Sequence, residues 1–489
     1  KALSMKKNTK SPITPNVKGK AKKKKFVKKN KFWVSKPGAK IPFLIDPSKL
    51  SNWLEVQDYC CISSFGEIQI VKLEDNIAYP KTAMQIYNDA LAFVKEQQDE
   101  QLETCFRMQG DNLLLQKKGT LGTLPKLTLN KYIDNNNVVR IFFKNGVVEL
   151  SKKGLKVVPY DCLKTLRCYI LSEQIIQRNF VHEKKIKGDF KKFIYKITNS
   201  EQHFLSVCTA IGYTISSYKN PSQAKALIVT DILSQVKNEA FGRSGKGIII
   251  KAISYIINVV EYNGKVTDLT NDKFVFQNVD ISTALIVLQD VTKGFVFESL
   301  FSTLTDKMSI ERKHRSKISI AFEDSPKIAL TTNYTIPQDT DSFKDRKHLV
   351  MLNNYFNANN KPEKYFKKLL FDWNKKEWQR FDNFMMECTR LFLENGLVKY
   401  SDKKFELQRL INQTSKEFVE MMEDKYSYFN SYFSIKEIAK SLDLGTEDKS
   451  SQSRIVSKWL DQYASHKGFQ VDKRKNGGIT QICFKPRPG

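Results

Sequence analysis

The chain has 489 residues, with 81 Lys and Arg against 52 Asp and Glu, a formal net charge of +29. Single hydrophobic cores rarely grow past about 250–300 residues, so several domains are expected. No run approaches the ~20 apolar residues of a membrane span, no leader peptide is visible, and the eight cysteines show no CxxC or Cys/His ligand spacing. These features argue against a helical membrane protein, a disulfide-framed domain and a zinc site.

Residues 1–40 hold fifteen lysines and no Asp or Glu. Such a stretch is expected to be a disordered tail that binds polyanions, with a solubilising arm as the alternative. The rest of the chain is net basic too, which suits a nucleic-acid partner bound in a salt-dependent way. Residues 41–130 read as an α+β region, with a strand at Ile68–Val71 and a helix at Thr82–Gln98. No catalytic constellation stands out there. In residues 131–203, the Asn145-Gly146 turn between Val139–Phe143 and Val147–Leu150 predicts a hairpin. Helices are expected at Asp189–Ile194 and His203–Tyr218, with His203 on a helix surface.

Residues 204–349 carry the strongest chemistry. Ala226–Thr230 is an apolar strand run closed by Asp231. Ten residues later comes Gly242-Arg243-Ser244-Gly245-Lys246-Gly247, running into Ile248–Ile253 as a helix. Strand, glycine loop, lysine and helix form a phosphate cradle: glycines let backbone N–H groups approach, and the lysine reaches the β/γ-phosphates. The full pattern also has Gly six residues before the Lys and Ser or Thr after it; this chain has Ala240 and Gly247. A second buried-strand run, Ala284–Leu288, ends in Gln289-Asp290, and a third, Lys327–Thr332, ends in Asn333. A carboxylate at a strand's carboxyl edge is where an α/β nucleotide site needs one, and the Asn amide can orient water. Ser342–Lys347 adds basic residues suited to phosphate charge. Between the later strands, Met308–Ile320 reads as two alternating arms around a basic tip, with Arg312, Lys313, Arg315 and Lys317 as candidate DNA phosphate contacts. An outer-surface basic hairpin is the competing reading.

Residues 350–430 read as helical, with an aromatic stripe assigned to core. Residues 431–489 read as a separate unit. Two helices, Ser434–Leu442 and Gln452–Tyr463, precede a hairpin whose loop carries Lys473, Arg474 and Lys475. Helix-turn-helix plus β-wing predicts a winged helix that binds DNA or, alternatively, protein.

From about Phe142 onward the chain resembles the superfamily 3 helicases of the AAA+ class, and within it the primase-helicases of phages, plasmids and large DNA viruses. Phe241–Ile253, Phe297–Phe301 running into Ser325–Tyr334, and Trp373–Trp378 carry the resemblance. It implies an α/β fold: an AAA+ P-loop ATPase core, an N-terminal α+β/helical collar region and a C-terminal winged helix. It implies ATP on Gly242–Gly247, Lys246 as the Walker A lysine, Asp290 as the Walker B acid for Mg2+, Asn333 as sensor 1 and Arg346 as an arginine finger. It further implies a homohexameric ring on single-stranded and forked DNA, a separate primase or polymerase, no membrane, and a place in the host cytoplasm or a viral replication site. Gly247 and Gln289 depart from the pattern, both on the metal side. The alternative is a nucleotide-gated or ATPase-deficient DNA-binding replication initiator.

Overall fold

The computed structural model describes residues 31–64, 67–116, 119–231, 244–267, 269, 271–292, 294–314, 317–334, 341–401, 403–425, 431–477 and 479–486. Gly242, Arg243 and Arg315 therefore lie outside the described residues, as does the lysine-rich tail through residue 30. Contacts divide the chain into two units, one of Lys1–Gln57 with Thr82–Leu124, the other of Asp58–Lys81 with Pro125–Gly489. The stretch 41–130 contributes to both.

The first unit pairs strands β1 (Trp33–Ser35) and β2 (Phe43–Ile45) antiparallel and adds helices α1 (Pro47–Val56), α2 (Ala83–Lys95) and α3 (Glu100–Gly110). Asp46 caps α1, with Pro47 at its start, and Thr82 with Gln85 forms a capping box on α2. The Phe32 ring lies 5.2 Å from Trp53 and 5.8 Å from both Phe93 and Phe106, which makes an aromatic centre for this unit.

The second unit begins with β3 (Tyr59–Ser64), β4 (Glu67–Glu74) and β5 (Ile77–Pro80), joined by β6 (Asn130–Lys131) and β10 (Cys168–Leu171) in the order β3-β4-β5-β10-β6. Between the last two lies a meander of β7 (Val138–Phe143), β8 (Gly146–Ser151) and β9 (Gly154–Val158), which contains the expected hairpin. Helices α4 (Asp189–Lys196) and α5 (Glu201–Ile215) follow. His203 is not on a surface. It is 1% exposed, its Nε2 is 2.6 Å from the Met351 carbonyl, its Nδ1 accepts from Asn199 N, and its ring stacks on Tyr400 at 3.9 Å. Burial with satisfied ring nitrogens overrides the polar label.

The central sheet is wholly parallel. Its strands are β11 (Ala226–Asp231), β12 (Val259–Asn263), β13 (Leu285–Val291), β16 (Lys327–Thr332) and β17 (Lys347–Leu352), in the order β12-β13-β16-β11-β17. All six residues of β11 and of β16 are buried, as an inner parallel strand covered on both faces requires. Helix α6 (Lys246–Ser254) follows β11 in the chain. A small antiparallel pair, β14 (Met308–Ile310) and β15 (Ile318–Ile320), stands between β13 and β16 in sequence. Met308, Ile310, Ile318 and Ile320 are buried, while Ser309 and Ser319 face out.

Beyond the sheet come α7 (Asp341–Arg346, just before β17), α8 (Pro362–Phe366) and the long α9 (Lys375–Asn395). Of the 350–430 region expected to be helical, α9 accounts for 21 residues. Asn374 caps it, and α5 closes on it where a Cβ at Gly212 would stand 2.4 Å from the Cys388 carbonyl. Arg178 ties this packing down, reaching Asp382 at 2.7 Å and lying over Trp378 at 4.6 Å.

The C-terminal residues bury a core of their own. Helices α10 (Lys403–Gln413), α11 (Lys416–Lys425), α12 (Ile435–Lys440) and α13 (Lys449–Lys467) pack with a sheet ordered β18-β20-β19, of β18 (Phe433–Ser434), β19 (Phe469–Asn476) and β20 (Ile479–Pro486).

Candidate functional site

In an open parallel sheet, ligands bind outside the carboxyl ends of the strands, where the connections part in opposite directions. Here the chain leaves β11 for the far edge strand β12, and leaves β16 for the opposite edge strand β17. The parting point lies between β16 and β11. Lys246 stands at that crevice. Its Nζ donates to Asp231 Oδ2 at 2.5 Å, from the end of β11, and to Asn333 Oδ1 at 2.6 Å, from the end of β16. Ser244 Oγ is 3.4 Å away.

Local geometry presents the lysine. Gly245 precedes α6 with φ +106, in the left-handed region, and no side chain caps the helix. Uncapped first-turn N–H groups and the helix dipole favour an anion here. Gly247 faces open space, with nothing within 4 Å of an added Cβ.

On β13 a register shift between Leu288 and Val291 turns Asp290 outward. Asp290 takes φ +53, a conformation costly for a residue with a Cβ, and is exposed. Its N–H donates to Thr331 Oγ1 at 2.8 Å. The same hydroxyl donates to Gln289 Oε1 at 2.8 Å, and Gln289 Nε2 donates to Glu261 at 3.0 Å. A hydrogen-bonded row thus crosses β12, β13 and β16 at their carboxyl ends and fixes the bulge that carries Asp290.

The cleft measures about 590 Å³. Ser244–Ile248, Gln289, Asp290, Thr331 and Asn333 form one side, and Lys361, Pro362 and Glu363 form the other. The structure thus brings together Ser244, Gly245, Lys246, Gly247, Asp290 and Asn333. Arg346 does not line the cleft. Its Nη1 donates to Ser342 O and Oγ, and its guanidinium lies over Phe301 at 4.7 Å.

Mg2+ commonly takes one or two carboxylates and completes its shell with substrate phosphates and water. Two exposed carboxylates line the cleft among the described residues, Asp290 and Glu363, and Asp290, at the strand end, fits that need. No group of three His, Cys, Asp or Glu that could hold a metal alone occurs among the described residues.

The candidate DNA contacts separate into bound and free cations. Arg312 Nη2 donates to the Val279 carbonyl at 2.8 Å, so this guanidinium is anchored to the protein. Lys313 and Lys317 are exposed, and Lys317 is 3.6 Å from Glu311. In the C-terminal hairpin, Lys473 pairs with Asp461 on α13 at 2.9 Å, and Arg474 stacks over Tyr432 at 3.5 Å while its Nε donates to Gln481. Lys475 is exposed. On α13, Arg454 and Lys458 are exposed one turn apart.

Sequence reasoning gave no role to Asp231, Thr331, Lys361 or Glu363. Asp231 was visible as the end of a strand, and Thr331 as part of the Thr-Thr-Asn run. Nothing in the chain marks Lys361 and Glu363, which reach the cleft only because Pro362 starts a short helix beside it.

No protein-family model matches the chain, and no curated protein matches it. Among solved structures it is similar to the apo A form of the NrS-1 C-terminal region, at 11% identity and a TM-score of 0.36, over 71% of this chain and 96% of that one. It is also similar to JCV helicase bound to a phenoxyphenyl acetamide, at 15% identity and a TM-score of 0.22, over 55% and 71% of the two chains. Likeness of this size does not fix the fold. Among the described residues, no helix is long and apolar enough to cross a membrane.

Proposed function

We propose that the chain is an ATP-dependent DNA helicase or translocase of the superfamily 3, AAA+ kind, working as a ring, with a winged helix at its C-terminus. The observation that carries this reading is Lys246 at the parting point of a parallel sheet, between Asp231 and Asn333, with Asp290 on the same cleft. Phosphoryl transfer asks mainly for positioning and electrostatics. In this reading Lys246 swings to the phosphates, and the uncapped start of α6 offers its N–H groups to them. Asn333 orients the attacking water. Asp290 holds the Mg2+ that accompanies the nucleotide, an ion that supplies neutralising charge on the phosphate oxygens. Arg346, absent from the cleft of its own chain, acts on the nucleotide of a neighbouring subunit. Lys313 and Lys317 contact a single strand, and the C-terminal unit contacts DNA.

A second reading, nucleotide-gated DNA binding without appreciable turnover, is favoured by Gly247, which brings no hydroxyl, and by Gln289, whose amide is engaged on both sides. One assay separates the two: ATP hydrolysis with and without single-stranded DNA, for the native chain and Lys246→Ala. DNA-stimulated turnover lost in the variant supports the motor. Absence of turnover in both, with salt-sensitive DNA binding in both, overturns it.

A further inference from the structure

We infer that the face formed by α4 and α8 binds single-stranded nucleic acid, as a surface separate from the β14–β15 arms and the C-terminal unit. The inference concerns where a strand lies and does not depend on turnover at the cleft.

Two lysine-rich stretches, far apart in the chain, form this face. Residues 184–196 hold six lysines and one acid, and residues 361–376 hold six lysines and two acids. Ring packing and an ion pair bring the stretches together. Phe193 of α4 stacks on Phe356 at 5.4 Å, Phe190 lies 6.1 Å from Phe371, and Lys368 reaches Asp189 at 2.8 Å. The one acid of the first stretch is thus engaged by a lysine of the second. Lys192, Lys364 and Lys367 remain exposed. Like charges gathered on one face repel, and a polyanion laid across them relieves the repulsion.

The rings on this face select the kind of polyanion. Tyr365 belongs to an aromatic run in which Phe371, Phe381 and Phe384 are buried, yet it is 39% exposed. Leu369, four residues on, is 65% exposed. The Lys196 ammonium lies 5.6 Å from the centre of the Tyr365 ring and 4.9 Å from that of Tyr355. An open ring with cations around it gives a base a surface to stack on and gives the neighbouring phosphates their counter-charge. A duplex keeps its bases stacked inside and would leave Tyr365 and Leu369 unused. An acidic peptide or an anionic lipid surface matches the lysines but brings no flat base to the ring. Pro362 and Glu363, at the start of α8, line the cleft, so the face adjoins it.

The test measures fluorescence anisotropy of labelled oligothymidylate, and of a duplex, with the full chain across a salt series. The variants are Tyr365→Ala, Tyr365→Phe and the double change of Lys364→Ala with Lys367→Ala. Tyr365→Ala is expected to weaken strand binding about tenfold or more with little effect on duplex, and Tyr365→Phe to keep it near native. The double lysine variant should shrink the slope of log affinity against log salt on the strand by about 1.4. Strand affinity unchanged in Tyr365→Ala, or lost equally from strand and duplex, overturns the inference. If Tyr365→Ala does not fold, the exposed lysines decide, and an unchanged slope overturns it. Weaker binding of the double variant to polyglutamate or to anionic vesicles, with strand binding retained, assigns the face to another partner and overturns it as well. A native chain that hydrolyses no ATP while the strand effects appear overturns the motor and leaves this inference standing.

Discussion

Phe193 fills the space beside Gly245: a Cβ built on the glycine would stand 2.5 Å from the phenylalanine Cζ. The ring cannot retreat. It is fully buried, stacked on Phe356 at 5.4 Å and on Phe190 at 5.9 Å. Gly245 also holds φ +106, where any residue with a Cβ is strained. Gly245→Ala is therefore expected to cost at least about 1–3 kcal/mol of stability and to displace the start of α6. Denaturant unfolding and nucleotide binding, measured together, should both suffer. Native-like binding in a stable variant would contradict the cradle geometry.

Gly247 poses the opposite case, because its Cβ position is open. Gly247→Ser restores the hydroxyl the phosphate-cradle pattern places after the lysine. The replacement should be neutral or stabilising by about 0.5 kcal/mol, since serine is the better helix former. The half-saturating Mg2+ concentration for ATP hydrolysis should fall. An unchanged Mg2+ requirement would mean that the metal does not approach this turn.

Much of the central sheet is legible in the chain, because inner parallel strands appear as unbroken apolar runs. Ala226–Val229, Leu285–Leu288 and Ile328–Leu330 are such runs, and each is buried throughout. What the chain hides is pairing across distance. Asp231 and Lys246 meet over fifteen residues and Lys246 and Asn333 over 87, and only the folded sheet closes both bonds. Arg312 shows the same limit. Its position in an alternating arm suggested a cation for DNA, yet its acceptor is a carbonyl 33 residues earlier. His203 was misplaced for a related reason: periodicity marks it polar, and only Met351 and Tyr400 explain its burial.

His348 predicts an acid-side loss of stability. Burial, then the nearby charges of Lys225 and Lys399, lower its pKa from 6.5 to about 4. Its Nε2 is buried without a hydrogen-bond partner among the described residues. The unfolded chain takes up a proton near pH 6.5 and the folded chain only near pH 4, so the unfolded state binds more protons between these values. Stability contributed by the neutral ring is complete above pH 6.5 and is lost as pH falls towards 4, by up to about 3 kcal/mol. Between pH 7.5 and 5, His348→Leu should lose about 2 kcal/mol less than the native chain in denaturant unfolding. Equal losses would show that the ring is not held neutral.

The C-terminal unit offers two basic surfaces, and their internal pairing ranks them. Lys473 is held by Asp461 and Ser457, and Arg474 by Tyr432 and Gln481, so moving either onto DNA gives up an existing contact. Asp472 also sits in the hairpin, bonded to Lys485 and to the Tyr432 hydroxyl, and lowers the net charge there. Arg454 and Lys458 project from α13 one turn apart, and both are exposed. A helix presenting two exposed cations on one face is the geometry that reaches phosphates across a groove. Arg454→Ala and Lys458→Ala should each weaken duplex binding across all sequences and shrink the slope of log affinity against log salt by about 1. Lys473→Ala should change that slope less, because its charge is already offset by Asp461. Fluorescence anisotropy across a salt series measures all three. A larger slope change for Lys473→Ala than for Arg454→Ala would move the DNA from the helix to the hairpin.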